Sequence, residues 1–120
     1  MGYRRSNEPV FWALFGAGGV LAALLAPALV FITGLAVPLG LLDSEALAYP
    51  RIAALVSTLP GALALFGVIS LLLWHAMHRI NHSLHDVGID AGLADKVLFY
   101  GLAGVGTLAA GALLLPWLTG

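Results

Sequence analysis

The stretch IAALVSTLPGALALFGVISLLLWHAMHRINHSLHD, residues 52–86, carries no Asp, Glu, Lys or Arg before Arg79, and then breaks into a cluster of four histidines, Arg79 and Asp86. Its apolar part exceeds the ~20 residues that cross ~30 Å of hydrocarbon at 1.5 Å per residue. Comparable runs lie on either side, at roughly 9–38 and 96–117. The expectation is an all-α membrane protein: one domain over residues 1–120, with three transmembrane helices at about 9–38, 52–80 and 96–117. A titratable cluster at the mouth of such a helix is costly to keep, which makes it the first place to look for chemistry.

Composition agrees. In 120 residues, 61% are hydrophobic and 9% charged, with a mean hydropathy of +1.01, more apolar surface than a soluble core of this size can enclose. The net charge of −1 supplies no basic stripe for phosphates, so nucleic-acid binding is set aside. With no cysteine, disulfides, iron–sulfur ligation and a thiol nucleophile are excluded within this sequence. The run after Arg4 and Arg5 is longer than a signal-peptide core and lacks a clear cleavage site, so it reads as a retained first helix.

Asn7 or Glu8 can cap the first helix, with Pro9 where a missing N–H costs nothing. Pro27 predicts a kink, and Pro38 with Gly40 the end of the span. Residues 41–51, with Asp43, Ser44, Glu45, Tyr49 and Pro50, form a polar turn-rich loop. Arg4, Arg5, Arg79 and Lys96 lie on one side against Arg51 on the other, which predicts a cytoplasmic N-terminus and a C-terminus on the opposite side of the membrane. Trp12, Trp74 and Trp117 then fall near the two interfaces, as an aromatic belt would. Thr33, Ser57, Thr58, Ser70 and Thr107 are expected to satisfy themselves on their own helix carbonyls. Small residues four apart, Gly18, Ala22 and Ala26 on the first helix and Ala103, Thr107 and Gly111 on the third, are ridges for close helix approach, here read as contacts to a partner subunit.

If the second helix continues to Asp86, His75, His78, His82 and His85 share an arc of roughly 80°, with Arg79 and Asp86 beside it. The spacing suits a metal ion, but His82, His85 and Asp86 fall in the wet interface, without the enclosed surroundings of a zinc site. Haem ligation through His75 would need an opposing histidine from another chain, because the first and third helices have none. His82 and His85 read as solvating the negative end of the helix dipole. His78, at the boundary, suits hydrogen bonding and proton exchange with a quinone oxygen.

The residues Ser6-Asn7-Glu8-Pro9-Val10-Phe11-Trp12, Leu14-Phe15-Gly16-Ala17-Gly18-Gly19, His78-Arg79 and His85-Asp86 closely resemble those of the D subunits of bacterial quinol:fumarate reductases. The similarity continues through Ala26-Pro27, Pro38-Leu39-Gly40-Leu41, Ala46-Leu47-Ala48-Tyr49 and Phe99-Tyr100-Gly101-Leu102-Ala103, covering essentially the whole length. It implies one of two small anchors, the other being the C subunit, that hold a flavoprotein and an iron–sulfur protein on the cytoplasmic face of a bacterial inner membrane, which would make the C-terminal side periplasmic. FAD and iron–sulfur clusters would belong to those partners. Menaquinone would sit in a shared pocket, to which the resemblance assigns Trp12, Phe15, Gly16, His78 and Arg79, and haem would be absent. Two departures stand out: the family has a small or thiol residue where this sequence has His75, and a histidine where it has Asn81.

Rival readings are a haem-binding anchor of a succinate dehydrogenase-type complex, and an assembly or transport subunit without a quinone site. Transport would call for polar or broken helices at mid-bilayer, and these spans are apolar there.

Overall fold

The computed structural model describes residues 8–90 and 92–120; Arg4, Arg5 and the expected Asn7 cap lie outside them. Helix α1, Glu8–Phe31, opens with Pro9 in its first turn and runs through Pro27. Its ladder then widens into a π-helical stretch, Ile32–Ala36, closed by Val37 N–H donating to the Ile32 carbonyl at 3.0 Å. The widening comes immediately before Pro38, which has no N–H to donate and whose ring would press on the carbonyl four residues back. Thr33 Oγ1 donates to the Leu29 carbonyl at 2.8 Å, and Gly40, at φ 73°, turns the chain out of the span.

The second apolar run is two helices. After a 3₁₀ turn, Ser44–Leu47, capped by Asp43, α2 spans Tyr49–Val56 and α3 spans Leu59–Asp86. The single span expected at 52–80 is therefore divided at Ser57-Thr58, and its C-terminal end lies six residues further on. Thr58 makes the break: its hydroxyl donates to the Leu55 carbonyl at 2.7 Å and accepts from Gly61 N–H at 3.2 Å, capping α3. Any Cβ at Gly61 would collide with the Leu55 carbonyl oxygen, so this corner requires glycine. With 28 residues, α3 is about 42 Å long, which carries its polar end beyond the hydrocarbon. Helix α4, Leu93–Thr119, completes the set, and α1, α3 and α4 are each long and apolar enough to span a membrane.

Both α1 and α4 pack on α3 and, among the described residues, not on each other. What is buried is small: Gly18, Ala36, Ala62, Ala103 and Ala110, with Val56 the bulkiest buried apolar residue. Large side chains such as Leu24, Leu108 and Leu113 point outward. This inverts the soluble pattern and fits a lipid surround, where close backbone approach rather than hydrophobic drive associates helices. A Cβ on Gly18 would meet the Leu71 carbonyl oxygen at 2.5 Å and His75 Cβ at 2.7 Å; one on Gly106 would meet Leu73 Cδ1 at 2.9 Å. Gly18 and Ala103, expected as ridges toward a partner, thus serve packing within this chain, while Ala26 stays exposed.

Candidate functional site

Because α1 and α4 straddle α3 without touching, they leave an open cleft of about 610 Å³, within the range of small-molecule pockets. Trp12, Leu14 and Phe15 line it from α1, Ser70, Leu71, Trp74, His78 and His82 from α3, and Tyr100 from α4. Antiparallel packing puts the start of α1, the polar end of α3 and the start of α4 together at one end of the molecule.

Phe15 forms the joint between α1 and α3. Its ring stacks on His75 at 4.6 Å between centroids, lies 4.4 Å from His78, and takes the Trp12 ring edge-on at 6.1 Å. His75 Nδ1 is 3.0 Å from the Phe15 carbonyl oxygen, which can only accept, so that nitrogen carries the proton. The departure from the family pattern at His75 is thereby used in packing: the imidazole ties α3 to α1 beside the notch of Gly18 and Gly19.

His78 Nδ1 lies 2.6 Å from the Tyr100 hydroxyl, a link between α3 and α4. Neutral imidazole donates from one nitrogen and accepts at the other, so the direction of this bond fixes what Nε2 offers. When Tyr100 donates, Nε2 is an N–H donor; when Nδ1–H donates to Tyr100, Nε2 is an acceptor. Trp12 is 66% exposed, and its indole N–H has no partner among the described residues. Trp74 donates its indole N–H to Thr107 Oγ1 at 3.1 Å and stacks with Tyr100 at 6.1 Å. Thr107 passes the chain on by donating to the Ala103 carbonyl at 2.8 Å.

Of the five residues assigned by resemblance, Trp12, Phe15 and His78 meet at this cleft. Gly16 and Arg79, each one residue on from a lining side chain, are exposed and lie outside its wall. Neither spacing nor resemblance assigned Tyr100, Trp74, His82 or Ser70 to a site. Thr33, Ser57 and Thr107 do bond back to their own helix carbonyls, but the Ser70 hydroxyl has no partner among the described residues. Asn81, the second departure, is 3% exposed, and its side-chain oxygen is likewise unpaired among the described residues. No group of three or more His, Asp or Glu side chains converges to hold a metal among them.

The model of the family described as the D subunit of fumarate reductase matches residues 2–115. The chain belongs to this family. It is 45% identical to the fumarate reductase D subunit of Vibrio parahaemolyticus over 107 residues, covering 89% of this chain and 86% of that one. It is 44% identical to the Aliivibrio salmonicida protein of that name, covering 88% of each, and 39% identical to that of a Shewanella species, covering 89% and 88%. As a fumarate reductase D subunit it is a membrane component of a larger complex, so the exposed apolar faces of α1 and α4 have lipid and other subunits to meet.

Proposed function

We propose that this chain anchors the flavoprotein and iron–sulfur subunits of a menaquinol:fumarate reductase to the bacterial inner membrane, beside the C subunit, and that the cleft is its share of the menaquinol oxidation site. The supporting observation is the meeting of Trp12 of α1 and His78 of α3, 66 residues apart in sequence, at one apolar cleft with the Trp12 N–H and His78 Nε2 uncommitted. A menaquinol headgroup supplies two protons and two electrons, the electrons leaving to iron–sulfur carriers on a partner subunit.

The side chains divide the work. Phe15, Leu14 and Leu71 give apolar wall for a fused-ring headgroup and exclude water. Trp12 donates its indole N–H to one headgroup oxygen. His78, with Nδ1–H donating to Tyr100, accepts a proton at Nε2 from the other; in the opposite tautomer, Nε2–H hydrogen-bonds a quinone carbonyl. Tyr100 serves either state by reversing its hydroxyl, so one 2.6 Å contact holds the imidazole for both. Arg79, at the rim, supplies positive charge toward a partner.

The test is made in the co-expressed complex. Trp12→Leu and His78→Leu are expected to lower menaquinol-driven fumarate reduction by at least about tenfold, while fumarate reduction by an artificial electron donor is unchanged. Unaltered quinol kinetics in both variants would reject the assignment.

A further inference from the structure

His78 does not end the line of imidazoles. The His82 ring, at the cleft mouth, lies 4.3 Å from that of His78 between centroids, and His85 follows at 6.4 Å. Beyond the helix, Gly88 at φ 80° lets Ile89 N–H donate back to the Leu84 carbonyl at 2.9 Å, which folds the chain over and returns Asp90 to His85. Asp90 Oδ1 accepts from Gly92 N–H at 2.8 Å, and this pins the carboxylate with Oδ2 3.6 Å from His85 Nδ1. The order His78, His82, His85, Asp90 runs from the half-buried cleft floor to a carboxylate that is 64% exposed.

We propose that His82, His85 and Asp90 form a proton exit path from the cleft to water. Each imidazole can take a proton on one nitrogen and release it from the other. The first gap allows direct approach of the rings, and the second admits one bridging water. This rests on the quinol reading above. Oxidation of one menaquinol breaks two O–H bonds and releases two protons and two electrons: the electrons go one at a time to the partner's iron–sulfur carriers, the proton of the oxygen facing His78 goes to Nε2, and that of the oxygen facing Trp12 goes to water at the open side of the cleft. Before His78 can act again, its proton must leave, and the cleft wall around it is apolar apart from His82, Tyr100 and Ser70. Tyr100 returns a proton only by losing its own, whereas His82 is exposed and can pass one outward. Asp90 stabilises the imidazolium at His85 as the proton arrives and releases it to solvent.

The intact complex carries the test, with variants outside the cleft. His85→Ala and Asp90→Asn are expected to lower the quinol-driven kcat by about tenfold at unchanged KM and to raise the solvent deuterium isotope effect, and His85→Ala to recover with added imidazole. In the quinone-free complex, diethyl pyrocarbonate is expected to modify His85 and His82 before His78, as read by mass spectrometry. Unchanged kcat in both variants, a loss in His85→Ala that imidazole does not rescue, or no modification of His82 and His85 would overturn the path. The outcome His78→Leu inactive with His85→Ala and Asp90→Asn fully active sinks the path alone, whereas His78→Leu fully active sinks the quinol reading beneath it.

Discussion

Tyr100 has no counterpart in any periodicity argument, yet it sets what His78 can do. Its hydroxyl is the one side-chain partner of His78 Nδ1 among the described residues, and its ring is held by Trp74, itself fixed by Thr107. Tyr100→Phe keeps the ring and removes the hydroxyl. A single hydrogen bond of net worth about 1 kcal/mol corresponds to roughly a fivefold effect, so menaquinol-driven turnover should fall about fivefold, with artificial-donor activity unchanged. Equal loss in both assays would assign Tyr100 to stability alone. At this scale the sequence was legible where a residue sits at the end of a span: Trp12 and His78 mark where apolar runs begin and end. It was not legible where α4 crosses α3, because the 22-residue separation of His78 and Tyr100 depends on the turn at Gly88 and on how α4 rolls against α3. Nor could spacing separate Phe15 from Gly16, where one residue rotates the chain about 100° and moves a side chain from cleft wall to outer surface.

Among the elements, the α1–α3 contact is the one the cleft depends on, and Gly18 makes it possible. With the Leu71 carbonyl oxygen 2.5 Å from where a Cβ would sit, and that backbone unable to yield, Gly18→Val must push α1 off α3 and separate Phe15 from His75 and His78. Overpacking of this kind costs about 1–3 kcal/mol. The complex should unfold at lower temperature and lose quinol oxidation, whereas Gly34→Val, in open space, should do neither. An undisturbed Gly18→Val complex would show that the helices are not held at this distance. The three spans were readable from apolar length alone, but not the division at Ser57-Thr58. There, α2 continues the apolar composition of α3, and the two-way bonding of the Thr58 hydroxyl, with Pro60 in the first turn where a missing N–H costs nothing, distinguishes a cap from a helix interior. The end of α3 was placed early because residues 81–86, polar apart from Leu84, continue the helix out of the hydrocarbon.

For the whole molecule, the contacts fix which ends lie together, and the charges then decide which leaflet each end faces. Phe15 against His75 and His78, and His78 against Tyr100, gather the start of α1, the end of α3 and the start of α4 on one side. Tyr49 against Trp117, at 6.3 Å between ring centroids, gathers the start of α2 and the end of α4 on the other. Arg79 and Lys96 belong to the first side and Arg51 to the second, an excess that predicts a cytoplasmic location for the cleft. That is also the side on which water-soluble partner subunits must dock if they are to take electrons from it. The sequence contains no cysteine, so single substitutions report cleanly. Ser44→Cys, in the loop before α2, should react with a membrane-impermeant maleimide in cells whose outer membrane alone is opened; Ser83→Cys, near the end of α3, should react only after the inner membrane is broken. The reverse pattern would place the cleft on the periplasmic face, remote from any cytoplasmic partner, and labelling of both from one side would mean that α3 does not cross the bilayer.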